Sequence, residues 1–98
     1  MVQLAKFRSI EFEWDEHNLG EIAGHGIGPD EAEQCFFNSH RVYRNKKKTG
    51  RRYKTFKLEG KSDPGRQLLL IFFVKEKTAV RSAAGPRALI RIITGWEI

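Results

Sequence analysis

The chain has 98 residues and a formal net charge of +6, which fits one small basic domain. Its single cysteine, Cys35, excludes an intramolecular disulfide and favours a reduced, cytoplasmic compartment. Charges interrupt the apolar residues near the N-terminus, which argues against a signal peptide, and the longest apolar run, residues 68–74, is too short to span a membrane. We therefore predict one domain, residues 1–98, in the cytoplasm.

The charge is divided unevenly along the chain. Residues 1–38 have eight acidic and two basic side chains, a net charge of −6, whereas residues 39–98 have sixteen basic and four acidic ones, a net charge of +12. A basic block of this kind indicates a polyanionic partner, and nucleic acid is the partner that we favour. A solvated basic face without a partner is the alternative, and the acidic part is suited to contact a basic protein.

The first elements are a strand and a short helix. Residues 9–14 alternate between apolar and polar side chains, which predicts a half-buried strand. Asp15 then stands at the N-cap of a helix whose apolar stripe is formed by Leu19, Ile22 and Ala23. Gly24 and Gly26 are placed to end this helix, because glycine readily adopts the left-handed conformation of a C-cap.

A second short helix is predicted directly afterwards. Pro29 suits a first helical turn, where no amide hydrogen is needed, and Asp30 and Glu31 are favourable at the positive end of the helix dipole. Its apolar stripe consists of Ala32, Cys35 and Phe36. Because both helices are short, each needs a sheet to lie against.

The basic part of the chain is strand-like. Four strands are predicted, separated by a polar hairpin tip, a Gly- and Pro-bearing turn and a longer loop: residues 41–44, 51–59, 67–74 and 88–94. The third of them is continuously apolar, which predicts a central strand buried on both faces. The resulting fold class is α+β in the order β-α-α-β-β-β-β, with an antiparallel sheet and the two helices packed on one face.

A set of short motifs in a fixed order resembles the BrnT family, the small ribonuclease toxins of type II toxin–antitoxin systems. The motifs are residues 12–15 (FEWD), Asn18, Ile22, residues 25–26 (HG), residues 29–31 (PDE), residues 36–38 (FFN), Arg52, Tyr53, residues 65–66 (GR) and residues 91–94 (RIIT). The family often has a basic residue where this chain has Gly24. It commonly continues after the last strand with an Ala-Arg pair and a basic segment, where this chain has residues 95–98 (GWEI).

The resemblance implies a RelE-like fold and a metal-independent RNA-cleaving enzyme that needs no cofactor. It further implies a partner, an antitoxin protein of the ribbon-helix-helix type that neutralises the toxin in a hetero-oligomer. Such a complex would bind operator DNA only through the antitoxin, and no membrane would be involved.

Four residues are candidates for catalysis. RNA can be cleaved without a metal because its own 2′-hydroxyl is the nucleophile, and the imidazole of His25 is suited to transfer the proton. Arg52 could contact the phosphoryl oxygens, and Tyr53 could stack on a base, donate to phosphate or only fill the sheet edge. Arg91, set among isoleucines, must either face the open side of the sheet or find a partner carboxylate. For His25 the alternative is a structural role at the helix C-terminus.

Further cations are predicted to bind RNA: Arg41, Arg44, Lys46, Lys47, Lys48, Arg51 and Lys54. A solvated hairpin is the alternative for the three lysines. No metal site is predicted, because His17, His25, Cys35 and His40 lack a zinc-site spacing, and Cys35 belongs to an apolar stripe. The predicted function is a metal-independent endoribonuclease toxin, and the alternative is a non-catalytic RNA-binding or antitoxin-binding module with the same fold.

Overall fold

A computed structural model describes residues 9–45, 54–78 and 87–98. The elements within these residues are β1 (Ser9–Phe12), α1 (Glu16–Ala23), α2 (Pro29–Phe37), β2 (His40–Arg44), β3 (Phe56–Lys61), β4 (Gln67–Thr78) and β5 (Arg87–Glu97). The predicted α+β class and the predicted order of elements are therefore confirmed. The last strand is longer than predicted. Residues 46–53, which include the predicted hairpin tip, and most of the predicted loop lie outside the described residues.

The five strands form one mixed sheet in the order β1-β5-β4-β3-β2. Strands β2 to β5 form the predicted antiparallel meander, but β1 pairs with β5 in parallel. The prediction of an antiparallel sheet is thus wrong at β1. A tight turn forces antiparallel pairing, whereas β1 is followed by two helices, and this longer connection lets it join the far edge of the sheet in parallel.

Strand β4 lies at the centre of the sheet, as its apolar run predicted. Leu68, Leu70 and Phe72 face the helices, and Ile71 and Phe73 are buried on the opposite side, so apolar residues occupy consecutive positions. We call these two sides the helix face and the second face. A register irregularity in the β4–β5 pairing falls between Ile71 and Phe72.

Both helices pack on the helix face, as predicted. Their buried side chains join one core with the strands: Ile22, Ala32, Cys35, Phe36, Leu58, Leu68, Leu70, Phe72, Ala88, Ile90 and Ile92. Phe36 is central to it, with its ring centroid 5.1 Å from that of Phe12 and 5.0 Å from that of Phe72, both in edge-to-face geometry. α1 and α2 have eight and nine residues, and no described helix has the length and apolarity to cross a membrane.

Capping groups fix both ends of α1. The Asp15 carboxylate accepts from the backbone amides of His17 and Asn18, and the Asn18 side chain accepts in return from the Asp15 amide. At the other end Gly26 has a φ of 76°, and the amide of Ile27 donates to the carbonyl of Ile22 at 3.0 Å. This Schellman-type closure confirms the predicted role of Gly26 and sets the position of the preceding residue.

Asn18 also joins α1 to the sheet. It is fully buried, and its amide nitrogen donates to the carbonyls of Glu13 and Ile92, each at 2.9 Å. The last backbone bond from the β1 segment runs from the Glu13 amide to the Ile90 carbonyl. Since carbonyls of alternate residues point to the same side of a strand, Ile92 offers the next acceptor on this side of β5. The Asn18 side chain therefore replaces the strand partner that β1 no longer provides.

Candidate functional site

The imidazole of His25 is exposed just beyond α1, beside Trp96 of β5. The two ring centroids are 6.3 Å apart, with the ring planes tilted by 53°. The His25 backbone amide donates to the Ile22 carbonyl, so the backbone itself closes the helix, and no described residue hydrogen-bonds to the ring. This free imidazole is available to take or give a proton.

Arg66 connects three parts of the chain. It lies next to the loop between α1 and α2, residues 24–28, here called the His25 loop. Its guanidinium donates to the Gly26 carbonyl at 3.2 Å and forms ion pairs with Glu31 of α2 and Glu97 of β5. Two carboxylates therefore neutralise this arginine. Its contacts hold the end of α1 against the start of β4 and the end of β5.

Both alternatives that the sequence left open hold for Arg91: its pairing with Phe73 places it on the second face, away from the helices, and it finds partner carboxylates there. Its guanidinium lies 3.1 Å from a Glu13 oxygen and 3.0 Å from an Asp15 oxygen, with the side chain 17% exposed. Asp15 caps the start of α1 and His25 follows its end, ten residues later, or about 15 Å along the helix axis at 1.5 Å per residue. Arg91 and Trp96 are five residues apart on β5, or about 16 Å. The structure does not bring Arg91 to His25.

Lys75 and Arg91 lower the pKa values of the two carboxyl groups beside them, those of Glu13 and Asp15. The Lys75 ammonium, 2.8 and 3.0 Å from the Glu13 oxygens, together with Arg91, holds the pKa of the Glu13 carboxyl below its usual value. Hydrogen bonds from Arg91 and from the Asn18 backbone lower the pKa of Asp15. Arg91 therefore stabilises the junction of β1, α1 and β5.

Free positive charge lies on β2, on β3 and just before β3. Arg41, Arg44, Lys54, Lys57 and Lys61, here called the basic strip, make no ion pair among the described residues. Glu59 is the one acidic residue on these two strands. The other residues predicted to act on RNA lie outside the described residues: Lys46, Lys47, Lys48, Arg51, Arg52 and Tyr53.

Part of the basic strip and Trp96 share the second face. The strand register places Arg41, Glu59, Leu69 and Trp96 in one row across the sheet. With strands about 4.8 Å apart, the two ends of this row are about 14 Å apart. Beside the row lies a cavity of about 270 Å³, lined by Ser39, Arg41, Glu59, Gly60, Lys61, Gln67 and Ile98.

Sequence reasoning missed Arg66 and Trp96 as site residues. Gly65, with a φ of 97°, makes the turn into β4, and a charged residue at such a turn was a detectable signal. The indole stands where the resembling family commonly carries a basic segment, and this departure was visible in the sequence. Only the fold shows that both residues lie near His25.

Cys35 is a core residue, as predicted. Its side chain is fully buried, and desolvation, with the charges of Glu31 and Asp63, raises the pKa of the thiol to about 11. Among the described residues no three His, Cys, Asp or Glu side chains are grouped to hold a metal ion.

The described residues thus define a small α+β domain with a free imidazole at one end of its sheet and unpaired cations on two strands. No protein-family model matches the chain, and comparison with curated proteins finds no match. The resemblance to BrnT toxins therefore stays a prediction, carried by the motifs of the chain itself.

Proposed function

We propose that the protein is a metal-independent endoribonuclease of the cytoplasm, with a RelE-like fold, that acts as the toxin of a type II toxin–antitoxin system. The observation that carries the proposal is the exposed imidazole of His25, to which no described residue hydrogen-bonds, on a domain whose β2 and β3 carry cations without an ion pair among the described residues. The toxin role comes from the BrnT resemblance.

The reaction uses the RNA as its own nucleophile. The 2′-oxygen attacks the adjacent phosphorus while His25 accepts its proton, and the bond to the 5′-oxygen breaks. The leaving 5′-oxygen takes a proton from water and His25 later returns its proton to the solvent, so that the products are a 2′,3′-cyclic phosphate and a 5′-hydroxyl. The basic strip holds the flanking phosphates, and Arg52 and Tyr53 remain candidates for contacting the reacting phosphate. Arg91 has no part in this reaction, because Glu13 and Asp15 engage it elsewhere.

Cleavage of RNA in the presence of EDTA tests the proposal. Replacing His25 with Ala should slow cleavage by about 10²–10⁴-fold, the usual contribution of one proton-transfer group. His17→Ala is the matched control, because His17 is an exposed histidine near the other end of α1. Absence of cleavage, or equal rates for the two variants, would refute the enzymatic role, and product ends other than a cyclic phosphate would refute the mechanism.

A second candidate is a non-catalytic RNA-binding or antitoxin-binding module. It is favoured by the state of Arg66, the one described guanidinium bonded to the His25 loop, because Glu31 and Glu97 already neutralise it. This module would bind RNA without cutting it. Each of the five cations of the basic strip is expected to neutralise one phosphate of single-stranded RNA. A plot of the logarithm of the binding constant against the logarithm of the salt concentration should then have a slope of about −3.5, both for the enzyme and for the non-catalytic module.

The proposed protein partner is a ribbon-helix-helix antitoxin. The charge of −6 on residues 1–38, a range that includes both helices, suits a partner with a basic contact surface. Such a complex would reach operator DNA through the antitoxin. Co-expression with the product of a small neighbouring reading frame should yield a complex that co-purifies and no longer cleaves RNA. Undiminished RNA cleavage in the presence of that product would argue against it as the antitoxin.

A further inference from the structure

Trp96 is an exposed indole on a rigid part of the sheet. It is 40% exposed, and it lies on the stretch of β5 beyond Ile90, the last residue in the register with β1. A Cβ on the preceding residue, Gly95, would lie 2.5 Å from a side-chain atom of Leu70, so β4 and β5 are in close contact here. The Ile98 amide continues the pairing by donating to the Gln67 carbonyl at 2.9 Å. The backbone therefore holds Trp96 firmly on both sides.

The flat face of this indole is open to a planar ligand. The His25 and Trp96 rings are tilted by 53° and so do not stack in parallel, and 40% of Trp96 is exposed, which leaves indole surface accessible. Nucleic-acid bases stack on such aromatic faces, and each stacked base contributes about 1–3 kcal/mol with little dependence on sequence. A base can offer its face to a protein only where it is unpaired.

The cavity on the second face extends the site by about one nucleotide. Its volume of about 270 Å³ lies just below the roughly 300–1,000 Å³ of pockets that hold drug-sized ligands. Arg41 and Lys61 can contact a phosphate, and Gln67 and Glu59 can bond to base edges. Ile98 lines this cavity two residues after Trp96, so the indole and the cavity are neighbours.

We infer that the RNA bound at this site is single-stranded, with one unpaired base stacked on Trp96 beside His25 and the adjoining nucleotide in the neighbouring cavity. This inference rests on the proposed function, since it assumes that RNA is the ligand. It deepens that function by assigning single strands or loops as the substrate class. Duplex RNA would reach only the cations of the basic strip.

Indole fluorescence with an RNA that cannot be cleaved provides the test. Trp14→Phe leaves Trp96 as the single tryptophan of the protein. In that background a fully 2′-O-methylated single strand should quench the emission. A duplex of the same sequence and an equally charged abasic strand should leave it unchanged.

Affinity measurements complete the test. Trp96→Leu, which keeps an apolar side chain but removes the ring, should weaken single-strand binding about 5- to 150-fold and leave duplex binding unchanged. Trp96→Phe should restore much of the loss. Phe37→Ala is the control, since Phe37 is an exposed aromatic residue of α2, and it should bind as the wild type does.

The outcomes separate this inference from the proposed function. Quenching by the abasic strand, equal losses for single strand and duplex in Trp96→Leu, or no binding by the wild-type protein would overturn the inference. Normal cleavage by Trp96→Leu would overturn it too, while leaving the ribonuclease intact. Single-strand binding that depends on Trp96, in a protein that never cleaves RNA, would support the inference and refute the enzyme.

Discussion

Replacing Asn18 with Ala should be among the most destabilising single substitutions in this protein. The side chain is fully buried and makes three hydrogen bonds, accepting from the Asp15 amide at 2.8 Å and donating to the carbonyls of Glu13 and Ile92. The bond to Ile92 is itself buried, so water cannot easily replace the lost donor. One substitution therefore uncouples α1 from β1 and β5.

The size of the effect follows from these bonds. A buried carbonyl left without a partner costs about 1–3 kcal/mol, and each of the two partly buried bonds contributes about 0.5–1.5 kcal/mol. We expect the free energy of unfolding to fall by about 4 kcal/mol, out of a total of roughly 5–15 kcal/mol for a typical domain. At about 4–8 °C per kcal/mol, Tm would fall by roughly 16–32 °C.

Urea unfolding followed by far-UV circular dichroism measures the effect. Asn38→Ala is the matched control, because the Asn38 amide also donates to two acceptors, at 2.9 and 3.0 Å, but in an exposed position. That control should lose about 1 kcal/mol or less. If the Asn18 variant lost no more than the Asn38 variant, with unchanged denaturant slopes, the assignment of Asn18 as the link between helix and sheet would be wrong.

Three further predictions concern packing, charge and the thiol. Gly95→Ala should destabilise the protein by about 1–3 kcal/mol in urea titrations, because the added methyl group meets β4, whereas Gly20→Ala, with open space in α1, should stabilise it by about 0.5–1 kcal/mol. Because the pKa of Asp15 is lowered in the folded state, its ion pair with Arg91 stabilises the protein above the ordinary carboxyl pKa of about 4, and this contribution is lost as the pH falls. Arg91→Met should accordingly be less stable than wild type near neutral pH and converge with it in acid melts, and a constant difference between pH 7 and pH 3 would contradict this assignment. The Cys35 thiol, buried and with its pKa raised to about 11, should react with a thiol reagent at pH 8 at least about 100-fold more slowly than in guanidinium, and rapid native labelling would show that α2 opens readily.

The sequence predicted what short-range signals control. The N-cap at Asp15, the turn at Gly26 and the proline start of α2 depend on neighbours within a few residues, and the structure shows each of them. The central position of β4 followed from its uninterrupted apolar run. These features are local, so chain order and residue type were sufficient.

Partners distant in sequence could not be predicted in the same way. Arg91 pairs with Glu13 and Asp15, which lie 78 and 76 positions away, and no periodicity relates these residues. The parallel pairing of β1 with β5 has the same origin, because it depends on where the chain returns after two helices. The exposure of Trp96 depends in turn on how far β1 runs along β5. The separation of His25 and Arg91 likewise depends on the path of the whole chain, which residue spacing does not reveal.

The parallel pairing of the first strand with the last one has a consequence for biosynthesis. On the ribosome, β1 and α1 emerge before the strand that β1 pairs with, and the Ile92 carbonyl that Asn18 needs is 74 residues further along the chain. Closure of the sheet therefore waits until β5 has been made, and such long-range contacts slow folding. A nascent chain that stalls before residue 87 has no β5 to receive β1, so the native sheet is available only to translation products that include β5.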